Sequence, residues 1–433
     1  MDATDPTDKS NNVPTQMPHR GNDLLLHTPG LGAVVLASSW NQRSPAHPER
    51  THYEYGRGAG PNQDALASAL RTVYPKAESI GLFCSGTAAA ACVIDAALAG
   101  ASGDVAVLVH KETYGGTDRL LDHLASTRAG FSYVMADLNN AEWVEQEIAA
   151  ITARQGSLRL IYAESCSNPS GFVVDIARLA AVRDRLCPLV PIAIDNSWLS
   201  ILYDPMAHGA DVVIESLTKH VGGGHLVAGM AAFAPTALGK NMHQRTMDHA
   251  EATGQHMAPF DAWLAETNIN TLAYRVQTAS RCCLEVAHFL QAHPRVGRVI
   301  YPGLDSHPDA AIARRVLGTE ADGTLAGPTV LTFHVALDME ATTRMIDSSP
   351  IIHYASSYGK PVPLFDPHIA EGSADHYDAQ PQDNDRGGSW IRLAMGHAVD
   401  ARTVSAELDR LLDLHVPTPN DRHQELRLSF FPH

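Results

Sequence analysis

The sequence predicts an α/β protein, with a mostly parallel sheet covered by helices on both faces and a smaller C-terminal α+β domain. From about residue 65, short apolar runs alternate with helical patterns, and strand–helix–strand units at this spacing form right-handed crossovers. Beyond about residue 262 this alternation ends. Hydrophobic residues make up 45% of the 433 residues and charged residues only 18%, so most of the chain can enter a packed core.

In the alternating region, each short apolar run predicts a buried strand, and each stretch with apolar residues three or four apart predicts a helix. The predicted helices span residues 63–74, 87–98, 116–124, 141–153 and 176–186. The predicted strands span residues 80–83, 105–109, 131–135, 158–162, 191–194, 212–214 and 228–233.

The C-terminal region has a long helical stretch through residue 290, then strands at 296–301, 330–335 and 391–395 and a final helix at 401–414. Residues 365–389 are polar and rich in Asp, Gly and Pro. This segment is long for a structureless loop in a compact domain, and we predict a mobile flap near a site. The predicted divisions are an N-terminal arm of residues 1–62, a large domain of residues 63–261 and a C-terminal domain of residues 262–433.

Charge and composition disfavour several classes of protein. The 32 Lys and Arg residues against 48 Asp and Glu residues give a net charge of −16, which repels nucleic-acid phosphates. Residues 1–22 lack the apolar core of a signal peptide, and no run of 18 apolar residues occurs. Six scattered cysteines without a CxxC motif predict reduced core residues, and HExxH is absent. We expect a cytoplasmic protein with no metal site and no nucleic-acid or membrane partner.

Polar residues follow several predicted strands, at the edge of a parallel sheet where ligands bind. Ser85, Gly86 and Thr87 open a helix, where free backbone N–H groups can bind an anion. Asp195 ends one strand, and Lys219 follows another strand with hydroxyl residues beside it.

An aldehyde cofactor with a phosphate and a pyridine nitrogen needs such groups: a lysine for the Schiff base, a carboxylate for the ring nitrogen and an anion site for the phosphate. Pyridoxal 5′-phosphate is that cofactor. A dinucleotide site is the competing interpretation, but no GxGxxG motif follows a strand. From these residues alone, ordinary helix-cap and turn roles stay open as the alternative.

Ordered motifs between about residues 50 and 415 resemble the Cys/Met-metabolism family of fold-type I pyridoxal-phosphate enzymes, which are aminotransferase-like in fold. The family includes cystathionine γ-synthase, cystathionine β- and γ-lyases, methionine γ-lyase and O-acetylhomoserine sulfhydrylase. The motifs that carry the resemblance are Tyr55-Gly56-Arg57, Ser85-Gly86, Tyr114-Gly115-Gly116-Thr117, Ser167-Asn168-Pro169, Asp195-Asn196, Ser216-Leu217-Thr218-Lys219 and Arg392-Leu393.

The resemblance implies a role for each residue that handles the cofactor ring. Lys219 would form the Schiff base and later move protons, and Asp195 would pair with the pyridinium nitrogen. Asn168 would hydrogen-bond the ring 3′-oxygen. Tyr114 would stack on the ring and act as an acid or base toward the leaving group.

The resemblance also implies which residues bind the phosphate and the substrate. The phosphate would be bound within one subunit by the turn and hydroxyl residues Ser85, Gly86, Thr87, Ser216 and Thr218. Tyr55 and Arg57 would reach the phosphate of the neighbouring subunit, on the N-terminal arm. The substrate would contact Arg392 through its carboxylate, assisted by Ser357, with Tyr55 and Arg119 also lining its site. The expected assembly is a homodimer with shared active sites, paired into a tetramer.

Several departures from the family pattern concern the substrate. Cystathionine-handling members often have Glu where Ser356 stands, so a distal ammonium has no obvious partner. Methionine γ-lyases have Cys where Gly116 stands, and Tyr358 replaces a common Leu. Leu226 and Val227 replace a Ser-Asp pair after the lysine. Thr87 replaces the common Met and adds a hydroxyl to the phosphate site.

The sequence thus predicts a lyase that removes a γ-substituent, or a β-substituent, from a small amino acid without a distal charge. The alternative is a γ-replacement transferase that uses an O-acylated homoserine. A second alternative is a catalytically idle binding protein on the same fold. The residues do not separate the first two, because both reactions share their early steps.

Overall fold

The computed structural model describes residues 32–40, 53–101, 103–154, 156–319, 325, 327–368 and 388–417. These residues form two compact units, the larger holding residues 32–166 and 174–274 and the smaller holding residues 167–173 and those from 275 onward. The division after Tyr274 lies later than the predicted boundary at 262. The reason is that helix α7 (Pro259–Ile269) packs against helix α1 (Pro61–Val73) in the larger unit.

The larger unit contains a seven-stranded sheet with the order β1-β7-β6-β5-β4-β2-β3. Only β7 runs antiparallel to its neighbours, so the sheet is mostly parallel, as predicted. Its strands are β1 (Ser79–Phe83), β2 (Val105–His110), β3 (Phe131–Ala136), β4 (Ser157–Glu164), β5 (Ile192–Asp195), β6 (Val212–Glu215) and β7 (Gly229–Phe233).

The remaining helices of this unit are α2 (Gly86–Leu98), α3 (Gly115–Thr127), α4 (Ala141–Ala153), α5 (Ile176–Leu186) and α6 (Ala237–Thr253). Side-chain caps fix the starts of several of them, as with Asn140 before α4 and Asp175 before α5. Helix α2 packs its alanine-rich surface on β4, β6 and β7. This contact builds a core that places the start of α2 at the carboxyl edge of the parallel strands.

The smaller unit contains a five-stranded sheet with the order β10-β11-β12-β9-β8, packed against helices in a second core. This is the predicted α+β domain. Its elements are α8 (Leu272–Ala292, which begins in the larger unit), β8 (Val296–Ile300), α9 (Ala310–Val316), β9 (Val330–Val335), α10 (Met339–Asp347), β10 (His353–Tyr354), β11 (Leu364–His368), β12 (Ser389–Ala394) and α11 (Ala401–His415).

The sequence interpretation missed part of this unit. The start of the segment predicted as a loop over residues 365–389 belongs to strand β11. Phe365 is fully buried there and pairs with Leu393 of β12. Ser389 already belongs to β12. Residues 369–387 of the predicted flap lie outside the described residues. No helix within the described part of the chain is long and apolar enough to cross a membrane.

Candidate active site

The start of helix α2 forms an anion cradle in the larger unit. The Ser85 hydroxyl accepts a hydrogen bond from the Ala88 backbone N–H at 3.0 Å, and the first turn contains no acidic residue. A Cβ on Gly86 would lie 2.6 Å from the Cβ of Ser216. Only glycine therefore lets Ser216 approach the helix terminus, where N–H groups lack intrahelical acceptors. Thr87 is exposed at this terminus.

The loop after β6 presents Lys219 and is closed by Thr218. The Thr218 hydroxyl donates to the Ala228 carbonyl at 3.1 Å and accepts from the Ala228 N–H at 3.0 Å. The Lys219 backbone N–H donates to the Ser216 carbonyl at 3.1 Å. Gly223, with a φ of +59°, allows the tight turn that follows. Thr218 thus shapes the loop, a structural use that the resemblance did not imply.

Asp195 lies at the end of β5, within electrostatic reach of Lys219. Its Oδ1 accepts a hydrogen bond from the Ser197 N–H at 2.9 Å. Burial raises the pKa of Asp195, while the Ser197 contacts, the Tyr162 hydroxyl and the Lys219 charge oppose that shift. The carboxylate and the lysine predicted from strand ends therefore do come together.

A buried hydrogen-bond network lies beside these groups and was missed by sequence reasoning. The Glu215 carboxylate accepts hydrogen bonds from the Tyr74 hydroxyl and, at 2.7 Å, from the Ser200 hydroxyl. Asn196 donates to the Tyr74 oxygen at 3.1 Å. Burial raises the pKa of Glu215 to about 7, the nearby Asp195 charge adds to that shift, and the two hydroxyl donors oppose it.

This network connects the ends of β5 and β6. Asn196 directly follows Asp195 at the end of β5, and Glu215 ends β6 directly before Ser216. Ser200 adopts a left-handed φ of +47°, which is rare for a residue with a side chain. Such strain persists where the surroundings fix it and often marks functional sites. The available sequence signal was a carboxylate that ends a fully apolar strand.

Tyr114 lies at the start of α3, where its backbone N–H donates to the buried Glu164 carboxylate. Its ring lies over Gly116, since a Cβ there would be 2.2 Å from the ring Cε1 atom. A side chain at position 116 would therefore displace the ring. Arg119 is exposed, with its Nη1 atom 3.7 Å from where a Cβ on Gly115 would stand.

Tyr55 and Arg57 form an outward-facing pair. The Arg57 guanidinium lies over the Tyr55 ring, 5.1 Å from its centroid, and Tyr55 is 52% exposed. The Gly56 N–H donates to the Ser38 carbonyl at 2.8 Å, and a Cβ on Gly56 would be 2.4 Å from the Ala37 carbonyl oxygen. The chain thus fixes the pair on the surface of the larger unit.

The smaller unit brings Arg392 and Asn168 together. Arg392 is 4% exposed, and its Nη1 donates to the Asn168 Oδ1 at 3.0 Å. The Asn168 loop is held by Thr332, whose hydroxyl donates to the Pro169 carbonyl at 2.9 Å. Arg392 also forms a 2.5 Å ion pair with Asp366, which was not predicted.

Ser357 also belongs to the smaller unit and has a φ of +92°, a strained value for a residue with a side chain. Tyr358 beside it is 4% exposed, whereas Ser356 is exposed. The backbone of this segment therefore turns sharply at the position that the resemblance assigns to substrate binding.

The sequence profile that describes Cys/Met metabolism PLP-dependent enzymes matches residues 26–410. The chain belongs to this family. The match spans most of both units, and it confirms the family predicted from the ordered motifs.

Relatives of this chain within the family are named for different reactions. A cystathionine β-lyase of Coxiella burnetii is 26% identical over 394 residues, which cover 90% of this chain and 95% of the relative. A cystathionine γ-synthase of Mycobacterium tuberculosis is 36% identical over 295 residues, covering 66% of this chain and 71% of the relative.

Solved structures confirm the fold-type I architecture. A cystathionine γ-synthase of Xanthomonas oryzae in complex with cystathionine has a TM-score of 0.74 at 25% identity, and the alignment covers 88% of this chain and 92% of that one. A cystathionine γ-lyase of Lactobacillus plantarum complexed with L-serine has a TM-score of 0.72 at 24% identity, covering 88% and 93%. Lyases and synthases share this fold, so the fold does not decide the reaction.

The cofactor of this family is pyridoxal phosphate, and the larger unit fits it. The cradle formed by Gly86 and Ser216 offers an anion site at a helix terminus, as a phosphate requires. Asp195 and Lys219 supply the carboxylate and the amine at neighbouring strand ends. These observations support the cofactor prediction with residues of this chain.

Proposed function

We propose that this enzyme is a lyase that removes a γ-substituent, or a β-substituent, from a small amino acid without a distal charge. The observation that carries the proposal is the segment of Ser356, Ser357 and Tyr358. It is strained at Ser357, presents a neutral hydroxyl at Ser356 and buries the Tyr358 ring. A distal cation would meet no carboxylate from these three residues.

In this proposal the cofactor supplies an electron sink, and the residues of the chain supply binding and proton transfer. Lys219 would hold the cofactor through its amine and, once that amine is free, would take the proton from the substrate Cα. Asp195 would keep the ring nitrogen protonated, and Asn168 would hydrogen-bond the ring 3′-oxygen. Arg392 would bind the substrate carboxylate through charge-assisted hydrogen bonds.

Tyr114 is proposed as the group that transfers a proton to the leaving substituent. Its 44% exposure leaves the hydroxyl accessible, while Glu164 fixes its backbone. Ser357, Tyr55 and Arg119 complete the proposed substrate site. The proposed phosphate site is formed by Ser85, Gly86, Thr87 and Ser216, with Tyr55 and Arg57 contributed by a second subunit. Thr218 supports the loop beside this site, because its hydroxyl hydrogen is donated to the Ala228 carbonyl.

A γ-replacement transferase is the second candidate, and the 36% identity to a cystathionine γ-synthase favours it. Both reactions need the same residues up to the loss of the substituent. They differ in whether a nucleophile then captures the product. A catalytically idle binding protein is a third candidate. In that case the wild type would show no turnover, and Lys219→Ala would change only ligand binding.

Substrate selectivity tests the proposal. Purified enzyme is given O-acetylhomoserine, methionine and a γ-halogenated analogue, each compared with cystathionine, and kcat/KM is measured for each. We expect cystathionine to be the poorest substrate, because Ser356, Ser357 and Tyr358 offer no carboxylate to pair with its distal ammonium. Lys219→Ala should abolish turnover of all of them.

Ser356→Glu is the matched variant, and Ser356→Gln controls for its size. The Glu variant should raise kcat/KM for cystathionine by about tenfold relative to the neutral substrates, as one charge-assisted contact would, and the Gln variant should not. A wild-type preference for cystathionine would overturn the assignment of a substrate without a distal charge.

A further inference from the structure

Arg392 is already paired in the smaller unit. Its strand β12 lies antiparallel to β11, and the register places Arg392 directly opposite Asp366. The side chains are 5% and 17% exposed and form an ion pair. Cross-strand opposite charges of this kind stabilise a sheet modestly when exposed, but here the pair is largely removed from water.

The guanidinium is further occupied by Asn168, which accepts from Nη1, while Asp366 accepts from Nη2. The Nε atom of Arg392 is buried and has no hydrogen-bond partner among the described residues. Two of the three nitrogens that could bind a carboxylate therefore already have acceptors.

The charges at this position decide how a substrate is bound. An isolated buried arginine carries a charge of +1, which a substrate carboxylate neutralises. With Asp366 present the pair is already neutral, and an incoming carboxylate makes two carboxylates share one guanidinium. Two carboxylates bound to the same guanidinium repel each other strongly where water is excluded. Removing the carboxylate of Asp366 would instead leave an unpaired buried charge, which is costly in the resting enzyme.

We propose that Asp366 is a specificity-determining residue, which neutralises Arg392 in the resting enzyme and competes with the substrate α-carboxylate for its guanidinium. The inference rests on the proposed role of Arg392 in binding that carboxylate. It implies that the enzyme holds the α-carboxylate weakly. Binding energy must then come mainly from the neutral side chain of the substrate, so small unsubstituted amino acids are poor ligands.

Asp366→Asn tests the proposal in the cofactor-loaded enzyme, because it keeps the shape and one oxygen acceptor for Arg392 while removing the charge. We expect KM for O-acetylhomoserine to fall about tenfold, as for release of a charge-assisted competitor, with kcat changed by less than about threefold. A KM that rises or stays the same would overturn the proposal, since Asp366 would then only position Arg392.

A second readout uses the wild-type enzyme and does not depend on the folding of a variant. The α-carboxamide of the same amino acid is measured as a competing ligand through the absorbance of the bound cofactor. The wild type should favour the carboxylate over the carboxamide by less than about tenfold, because Arg392 is already neutralised. A ratio above about a hundredfold would contradict the proposal.

Arg392→Gln separates failure of this inference from failure of the proposed function. If Arg392 binds the carboxylate, this variant raises KM strongly. A raised KM in both Arg392→Gln and Asp366→Asn would leave the role of Arg392 standing and remove the competitor role of Asp366. An unchanged KM in Arg392→Gln would remove both.

Discussion

At the scale of single residues, Gly86 is the position with the least room for change in the anion cradle. A Cβ there would lie 2.6 Å from the Ser216 Cβ and 3.0 Å from its Cα. Gly86→Ala should therefore separate the helix terminus from Ser216. We expect the dissociation constant for pyridoxal phosphate to rise about tenfold or more, the loss of one charge-assisted hydrogen bond. Titration of the apoenzyme with the cofactor measures it.

Gly239→Ala is the matched control for that variant. Gly239 also lies in the first turn of a helix, α6, and its Cβ would meet the Ala234 carbonyl oxygen at 2.2 Å. It should lower the thermal stability without changing cofactor affinity in the folded fraction. Equal cofactor affinities for Gly86→Ala and the wild type would remove the α2 terminus from the phosphate site.

Residues differ in how far the sequence could predict them. Lys219 and Asp195 were predictable because each follows an apolar strand, and parallel strands bring their ends to one edge. Arg392 is 224 residues from Asn168, its hydrogen-bond partner, so only the family resemblance indicated a role for it. Asp366 was missed because its importance depends on the register of β11 against β12, which no local pattern in the sequence shows.

At the scale of elements, the junction of β5 and β6 depends on the protonation of Glu215. Its folded-state pKa of about 7 lies above the ordinary value of 4.5. Protonation of Glu215 therefore stabilises the folded state, and its whole contribution to the free energy of unfolding is present below pH 4.5. This contribution, on the order of 3 kcal/mol, is lost as the pH rises toward 7.

Glu215→Gln should remove this pH dependence, because the amide does not ionise. We expect the difference between the wild-type and variant unfolding midpoints to change steadily between pH 4.5 and 7 and to level off above that range. Tyr74→Phe is the control, since it removes one hydrogen bond but leaves Glu215 titratable. A wild-type–variant difference independent of pH would show that folding does not raise the pKa of Glu215.

Two elements, helix α6 and strand β11, were not predicted from the sequence because packing rather than local pattern determines them. Helix α6 was missed although its buried residues Gly239, Met242, Thr246 and Ala250 follow a helical spacing. Three of these four are small or polar, because α6 packs closely on the alanine-rich α2. Strand β11 was missed because its Asp and Pro resemble a loop, whereas its pairing on both sides with β10 and β12 makes it an inner strand.

At the scale of the whole molecule, we predict that two subunits share each active site. Tyr55 and Arg57 form an exposed pair in the larger unit, and in the proposed function they reach the phosphate bound by a neighbouring subunit. Arg57→Ala and Lys219→Ala should each be inactive. When equal amounts are dissociated and reassociated, half the dimers are hybrids with one intact site, so about a quarter of the activity should return.

The same experiment has a clear contrary result. If Arg57 serves the site of its own chain, every site in the mixture carries a defect and no activity returns. A wild-type enzyme that is active as a monomer at its working concentration would contradict shared sites as well. The arrangement of subunits could not be predicted from local patterns, because it depends on surfaces rather than on the periodicity that indicates strands and helices.

The partition between elimination and replacement distinguishes the proposed lyase from a transferase. Wild-type enzyme is incubated with O-acetylhomoserine, with and without a thiol nucleophile, and the 2-oxo acid, ammonia and any new amino acid are quantified in the same sample. The proposed lyase predicts 2-oxo acid and ammonia in equal amounts, at a rate that the thiol leaves unchanged. A new amino acid that forms faster than the 2-oxo acid when thiol is present would contradict the lyase and establish the transferase.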